Sequence, residues 1–296
     1  MPSTFAAVSH GRTLSPADLE TVRSVLAGTG AAVTAESGTE HPDFAAHVFE
    51  LAPTDDDGFV TRVRTALADA ASGSVDTAVV PAALRTAARK LIIMDVDSTL
   101  IQQEVIELLA AHAGTEAEVA KVTAAAMRGE LDFAQSLHHR VATLAGLPES
   151  VLADVGARIK LTPGAERLVR TAKAAGHVVC AVSGGFSQIL APLAADLDLD
   201  FARANDLEIV AGTLTGRVSG AVVDRAAKAA ALREWCAAAG IDPAHSMAIG
   251  DGANDLDMMA AAGLGVAYNA KPAVRAAADA QINIPNLDVA LALAGI

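Results

Sequence analysis

Five short apolar segments, separated by helical stretches, constrain the fold of this chain more than any other feature of its sequence. The segments are KLIIMD, HVVCAVSGG, SMAIGD, LGVAYN and AQINI. Short apolar runs of this kind are typical of strands that are buried on both faces. Strands that alternate with helices predict an α/β fold with a doubly wound parallel sheet.

The alternation of strands and helices is interrupted between the first two of these segments. From Gln102 to His177 the sequence carries helical signals instead. The economical interpretation is an insertion of several helices above the strand ends, which predicts a helical cap at about residues 102–160. Residues 207–223 have an alternating pattern that contains several glycines, which predicts a β-hairpin.

Residues 4–85 precede these segments and predict a second, smaller unit. Their strand and helix signals follow the order βαββαβ, which is typical of a ferredoxin-like α+β module. Ser15, with Asp18 three residues later, matches the capping pattern of a helix start. We therefore predict an N-terminal domain at residues 1–88 and a larger domain at residues 89–296.

The composition argues against several classes of function. The formal net charge of −13 disfavours a nucleic-acid partner, because such partners are held by clustered Lys and Arg. No apolar run approaches the roughly 18 residues of a membrane span, and the N-terminus lacks a basic region followed by an apolar core. We therefore expect a cytoplasmic protein without a membrane partner. Cys180 and Cys236 lack metal-ligand spacing and are expected to be reduced and packed.

Two carboxylates follow the first predicted strand of the large sheet. This strand runs into Asp95-Val96-Asp97, and ligands of doubly wound sheets bind at the carboxyl ends of strands. In an extended segment residues i and i+2 point the same way, so Asp95 and Asp97 can converge on one cation or one reacting group. The alternative is that Asp97 only caps the following helix.

Two further strands end in residues that suit bound ions. One ends in Ser183-Gly184-Gly185, where a hydroxyl and unhindered backbone amides suit an anion, although such a sequence is also an ordinary turn. The other ends in residues 251–255, DGAND, with two more carboxylates. Lys228 lies between them in an Ala-rich helix, where a lone lysine is usually a solvated surface residue. Because three such strand ends rarely coincide by chance, together they predict a functional site.

This set of motifs resembles the haloacid dehalogenase superfamily over about residues 90–296. The matching residues of its four motifs are Asp95 and Asp97, Ser183, Lys228, and Asp251 with Asp255. The resemblance implies a Rossmannoid sheet with an inserted cap, and a phosphatase that uses Mg²⁺. A hard cation with oxygen ligands is needed because the negative charge of a phosphate ester repels an attacking carboxylate.

The resemblance also implies a role for each carboxylate. Asp95 would attack phosphorus to give an aspartyl-phosphate. Its carboxylate would bind Mg²⁺ together with the backbone carbonyl of Asp97 and the carboxylate of Asp251, and Asp255 would lie just outside these ligands. Asp97 would protonate the leaving oxygen and then take a proton from the hydrolytic water.

The same resemblance assigns the phosphoryl group to three other residues. Ser183, the Gly184 amide and Lys228 would bind the phosphoryl oxygens, whose charge must be held in the transition state. All three follow or lie between the predicted strands of the large sheet.

The cap segment indicates the substrate class. Its stretches EVIEL and MRGELDFAQSLHHRV resemble those of phosphoserine phosphatases, which implies hydrolysis of O-phosphoserine, the last step of serine biosynthesis. On this resemblance Glu104 and Arg140 bind the amino acid, since a carboxylate pairs with an ammonium and a guanidinium pairs with a carboxylate. The other implied substrate contacts are Met127, Phe133 and Asn254.

Plainer interpretations of the cap residues stay open. Glu104 could be a solvated glutamate in the first turn of a helix, and Met127 and Phe133 could simply be cap core. Arg128 also lies in the cap and competes with Arg140 for the substrate carboxylate.

The N-terminal unit resembles an ACT domain, a fold that often pairs between subunits and binds amino acids. We therefore expect a homodimer, with serine as a possible effector. Two other functions stay open: a phosphatase or phosphotransferase for another small ester, such as phosphohomoserine or phosphoglycolate, and an amino-acid-binding regulatory protein with an inactive phosphatase half. The retained motif carboxylates and Lys228 speak against the second.

Overall fold

The computed structural model describes residues 4–54, 56–70, 73–127, 130 and 132–296, without the side chains of residues 124, 126 and 127. Its strands form two sheets. The strands are β1 (Phe5–Gly11), β2 (Val33–Glu40), β3 (Ala45–Leu51), β4 (Val75–Pro81), β5 (Leu91–Met94), β6 (Val178–Phe186), β7 (Phe201–Val210), β8 (Thr213–Ser219), β9 (Ser246–Gly250), β10 (Leu264–Tyr268) and β11 (Ala280–Ile282).

Helices connect these strands and form the insertion. They are α1 (Pro16–Gly28), α2 (Phe59–Ala70), α3 (Ala82–Thr86), α4 (Val105–Ala113), α5 (Glu116–Met127), α6 (Phe133–Ala142), α7 (Ser150–Gly156), α8 (Ala165–Ala174), α9 (Ser187–Asp196), α10 (Arg225–Ala239), α11 (Leu256–Ala261), α12 (Pro272–Ala277) and α13 (Val289–Ala294).

The smaller sheet is antiparallel, with strand order β2-β3-β1-β4. The predicted capping box is present at the start of α1, where the Ser15 hydroxyl accepts from the Asp18 amide and the Asp18 carboxylate accepts from the Ser15 amide. Leu26 of α1 and Val63 of α2 pack with Phe49 of β3 in one apolar cluster. The observed order βαββαβ is compatible with an ACT-like domain.

The larger sheet has the order β11-β10-β9-β5-β6-β7-β8 and is parallel except for β8. This confirms the predicted α/β class. The predicted β-hairpin at residues 207–223 is confirmed, because residues 206–210 of β7 pair in antiparallel fashion with β8. Its limits differ, since β8 already ends at Ser219 and β7 begins earlier, at Phe201. The first half of β7 pairs in parallel with β6, so this strand belongs to the main sheet as well as to the hairpin.

The helical insertion leaves the sheet after β5 and returns before β6. Helices α4 to α7 lie between two short chain segments that pair with each other and form a narrow neck. Ile101 and Leu161 form an antiparallel bridge there, and the Gln102 amide donates to the Lys160 carbonyl at 3.0 Å. The predicted limits of the cap and of the two domains stay predictions.

The two sheets share one apolar core. Val8 and Val80 of the smaller sheet lie in the same buried cluster as Val289 and Leu293 of α13. Polar contacts surround this core, including the Asn283 side-chain amide, which donates to Asp76 at 2.9 Å. The N-terminal sheet is therefore packed against the larger domain through an apolar face.

The two cysteines are buried and free, as predicted. Within the described ranges, no helix combines the length and the apolar character that crossing a membrane requires.

Candidate active site

The site lies where the carboxyl ends of β5, β6 and β9 meet. Strand β5 pairs in parallel with both β6 and β9, so the residues that follow these strands converge at one edge of the sheet. The Asp95 amide donates to the Ile249 carbonyl of β9 at 2.9 Å, which fixes the start of the first motif against the neighbouring strand.

Three carboxylates form a cluster at this edge. Asp95, Asp251 and Asp255 carry oxygen atoms that all lie within 4.8 Å of one another. Burial and the charge of Asp255 raise the pKa of Asp95 well above its ordinary value and the pKa of Asp251 to about 6. Concentrated negative charge of this kind suits a divalent cation with oxygen ligands.

Lys228 lies inside this cluster. Its Nζ atom is 2.7 Å from an oxygen of Asp95 and 2.7 Å from an oxygen of Asp255, and its side chain is fully buried. Burial lowers the pKa of Lys228, but the two carboxylates outweigh this effect and the net pKa is raised. Lys228 is therefore a buried cation, and its interpretation as a solvated surface residue is wrong.

Asp97 points toward different partners. One of its oxygens accepts from the Val105 amide at 2.7 Å, and the other accepts from the Ser183 hydroxyl at 3.0 Å. Burial raises the pKa of Asp97. A raised pKa favours the protonated carboxyl group, which can give a proton and take one back.

The Ser183-Gly184-Gly185 turn needs its glycines. The Gly185 amide donates to the Ser183 hydroxyl at 2.7 Å. A Cβ atom on Gly184 would lie 2.8 Å from the ring of Phe133, and one on Gly185 would lie 2.8 Å from an oxygen of Asp97. The turn is thus held closely between the first motif and the cap.

A cavity of about 710 Å³ separates the sheet from the cap, and residues of both line its walls. On the cap side lie Glu104, Phe133 and Arg140; on the sheet side lie Asp95, Asp97, Gly184, Asp251 and Asn254. Ser183, Lys228 and Asp255 are buried beside this wall. The Met127 side chain and Arg128 lie outside the described residues.

Glu104 is only partly exposed. Ser98 donates to its carboxylate at 2.6 Å. Burial and the charge of Asp97 raise the pKa of Glu104 to about 7. Arg140 is also partly buried, and its Nε atom donates to the Ser136 carbonyl at 3.3 Å.

Sequence reasoning missed two residues that lie directly after the motif aspartates. Ser98 contacts Glu104, and the Thr99 hydroxyl donates to Asp251 at 3.2 Å. Both belong to the DVDST segment, so their position beside the two aspartates was an available signal. Arg225, Asn269 and Lys271 also line the cavity, but no motif marks them.

The pKa of Glu104 predicts a dependence of stability on pH. Because the folded-state pKa lies above the ordinary value, ionisation of Glu104 costs stability as pH rises from about 4.5 to about 7. In metal-free protein, Glu104→Gln should therefore raise the free energy of unfolding at pH 8 by about 1 to 3 kcal/mol, with little gain at pH 4.5. Denaturant unfolding at both pH values measures this.

The matched control is Glu118→Gln, which removes an exposed glutamate from α5. Its free energy of unfolding should match that of the unmodified protein at both pH values. An equal gain for Glu104→Gln at the two pH values would contradict the account, because the effect would then not come from ionisation.

Comparison with known proteins agrees with this geometry. Residues 92–260 match the family described as haloacid dehalogenase-like hydrolase. A phosphoserine phosphatase of Streptomyces coelicolor is 63% identical over 79% of this chain, although the match spans only 57% of that relative's length. Phosphoserine phosphatase SerB2 of Mycobacterium tuberculosis is 47% identical over 100% of this chain and 72% of its own length.

Solved structures agree as well. A probable phosphoserine phosphatase from Vibrio cholerae is 36% identical, with a TM-score of 0.78 over 98% of this chain and 87% of its own. A structure described as a phospho-aspartyl intermediate analogue of phosphoserine phosphatase is 42% identical, with a TM-score of 0.65 over 69% of this chain and 97% of its own. The chain therefore belongs to the haloacid dehalogenase-like hydrolases, and among them to the phosphoserine phosphatase family.

Proposed function

We propose that this protein hydrolyses O-phosphoserine to serine and inorganic phosphate with the help of Mg²⁺. One observation carries the proposal: a single cavity has two carboxylates of the cluster, Asp95 and Asp251, on one wall and the oppositely charged Glu104 and Arg140 on the other. The substrate has a phosphate at one end and an ammonium and a carboxylate at the other. The relatives named phosphoserine phosphatase support the same choice.

The carboxylate cluster supports the proposed metal. Asp95 and Asp251, with the backbone carbonyl of Asp97, would hold Mg²⁺, which when bound offsets the charge that repels a carboxylate from a phosphate ester. Asp255 is less suited to bind the ion directly. One of its oxygens contacts Lys228 and the other accepts from the Gly252 amide at 3.0 Å.

The protein's own residues supply the chemistry. Asp95 attacks phosphorus, and the bond between phosphorus and the serine oxygen breaks while Asp97 gives that oxygen a proton. Asp97 then takes a proton from the water that hydrolyses the aspartyl-phosphate. Lys228, Ser183 and the Gly184 amide bind the phosphoryl oxygens.

The amino-acid end of the substrate lies against the cap. Glu104 binds the ammonium, and Arg140 binds the carboxylate. The pKa of Glu104, raised by burial in the absence of substrate, falls again when a cation lies beside it, because an opposite charge favours the ionised form. Phe133 and Asn254 line the same cavity and complete the proposed substrate contacts that lie within the described residues.

Phosphate release from a panel of metabolites tests the substrate. We expect kcat/KM to be highest for O-phosphoserine and at least about tenfold lower for phosphohomoserine and phosphoglycolate, since a methylene changes the fit and a missing ammonium leaves Glu104 unpaired. A higher value for either alternative ester would overturn the substrate assignment. Absence of phosphate release from every ester would favour the inactive regulatory protein.

Removing the metal tests the proposed cofactor. Exhaustive treatment with EDTA should abolish phosphate release from O-phosphoserine, and Mg²⁺ should restore it. Ca²⁺ should restore little, because its larger and looser coordination shell misplaces the phosphoryl group. Full activity after chelation would refute metal dependence.

The partner and location predictions remain proposals. The N-terminal sheet supports an ACT-like domain, and with it a homodimer that serine could regulate. We retain the cytoplasmic assignment on the sequence argument alone.

A further inference from the structure

The pairing of β6 with β7 breaks at the turn that is proposed to bind phosphate. Val182 pairs with Arg203, but the next paired residues are Phe186 and Asn205. Three residues of β6 therefore lie opposite a single residue of β7, Ala204. Ser183, Gly184 and Gly185 lie in this bulge, where the backbone is released from regular pairing.

The side chain of Asn205 bridges the bulge. It is 2% exposed, and its Nδ2 atom donates to the Gly184 carbonyl at 2.8 Å. The Gly184 carbonyl thus receives from a side chain the hydrogen bond that a regular ladder would supply. Asn205 occupies the β7 position at which pairing resumes.

The peptide unit between Gly184 and Gly185 is held at both ends. Its carbonyl accepts from Asn205, and its amide donates to the Ser183 hydroxyl at 2.7 Å. Ser183 in turn donates to Asp97. These bonds fix the plane of the peptide and the position of the Ser183 hydroxyl relative to Asp97.

The other end of the Asn205 amide reaches Val223, which lies just before α10, the helix that carries Lys228. Its Oδ1 atom accepts from the Val223 amide at 2.8 Å. The next residue, Asp224, caps α10 by accepting from the Ala227 amide, and its carbonyl accepts from the Lys228 amide at 3.0 Å. One side chain therefore ties the turn to the first helical turn before Lys228.

We propose that Asn205 is a positioning residue that sets the Ser183–Gly185 turn and Lys228 at the spacing a phosphoryl group requires. The proposal rests on the proposed function, in which these two groups bind the phosphoryl oxygens. Asn205 does not touch the substrate itself. Its effect is indirect: small displacements of the groups that bind a transition state raise the free energy of that state.

Asn205→Asp is the variant that tests the proposal most directly. The carboxylate still accepts from Val223 but cannot donate to Gly184, and it places an oxygen against the Gly184 carbonyl. We expect the Kd of inorganic phosphate, measured by calorimetry with Mg²⁺ on the folded protein, to rise by about 10- to 100-fold, since an unpaired buried group has a cost of this order. With O-phosphoserine, kcat should fall and KM should rise.

The matched control is Gln188→Glu. Gln188 makes the same kind of bridge to β7, donating to the Leu207 carbonyl at 2.9 Å and accepting from the Leu207 amide at 3.2 Å. Neither of these bonds reaches the turn or α10. Its substitution should lower the Tm to a similar extent and change the Kd of phosphate by less than about threefold.

The phosphate affinities of the folded variants decide the proposal. Unchanged phosphate affinity in folded Asn205→Asp would overturn it, and so would an equal loss in Gln188→Glu. If Asn205→Asp does not fold, Asn205→Ser, whose shorter side chain adds no charge and cannot span from Gly184 to Val223, must show the selective loss at smaller size. If the unmodified protein binds phosphate but does not hydrolyse O-phosphoserine, the proposed function fails, while the comparison of phosphate affinities still tests Asn205.

Discussion

Replacing Asp95 with asparagine should leave a folded protein whose turnover of O-phosphoserine falls by at least about 10⁴-fold. A neutral amide is a poor nucleophile and a poor ligand for Mg²⁺. The fold should survive, because Lys228 keeps its contact with Asp255 and the variant removes one of several crowded carboxylates. The charge of Asp255 already contributes to the raised pKa of Asp95.

The matched control for this variant is Asp154→Asn, an exposed position on α7. It should keep kcat within about twofold of the unmodified protein. Phosphate release measures the turnover of both variants, and circular dichroism shows whether they are folded. A folded Asp95→Asn protein with near-normal turnover would refute the proposed nucleophile.

The second large effect concerns Arg140. If Arg140 pairs with the substrate carboxylate inside the cavity, then its removal leaves that carboxylate buried without a partner. Such a truncation typically costs about 2 to 5 kcal/mol, which lowers kcat/KM for O-phosphoserine by roughly 30-fold to several thousandfold. An aryl phosphate has neither a carboxylate nor an ammonium, so Arg140→Ala should change its kcat/KM by less than about fivefold.

Two other arginines serve as comparisons for Arg140. Arg225 lines the same cavity but is paired with Asp257 at 2.5 Å, so Arg225→Ala should not discriminate between the two substrates. Arg128→Ala tests the competing candidate of the cap. Equal losses on both substrates for Arg140→Ala would mean that Arg140 supports the fold or the phosphoryl end, and a selective loss for Arg128→Ala would transfer the role to Arg128.

The sheet side of the site could be predicted because strand ends fix it. Asp95, Ser183 and Asp251 each follow a short apolar strand, and parallel strands bring their carboxyl ends to one edge. The local sequence is sufficient for that inference. The class of the larger domain follows from the same pattern.

The position of Lys228 in the site could not be predicted from the local sequence. Its Ala-rich surroundings do not reveal that one face of α10 is buried against the carboxylate cluster, since that burial comes from the packing of the helix on the sheet. Only the resemblance to a family marked this lysine. Arg140 and Glu104 depend in the same way on how the cap folds over the strand ends.

Asn205 carried no sequence signal at all. Its importance depends on a break in the pairing of β6 with β7, and the position of a bulge is not encoded in hydrophobic alternation. The start of β7, ahead of the predicted hairpin, was missed for a related reason. Residues 201–205 include polar side chains and so do not have the pattern of a buried strand, yet this part of β7 pairs with β6 inside the larger sheet.

The most direct test of the central claim is capture of the phosphorylated enzyme. O-phosphoserine labelled in its phosphoryl group is mixed with the protein and Mg²⁺, quenched in acid within milliseconds, and the labelled peptide is identified. We predict label on the peptide that contains Asp95, with the lability to hydroxylamine of an acyl phosphate, and none in Asp95→Asn. Rapid turnover without protein-bound label, or label on another residue, would contradict the account.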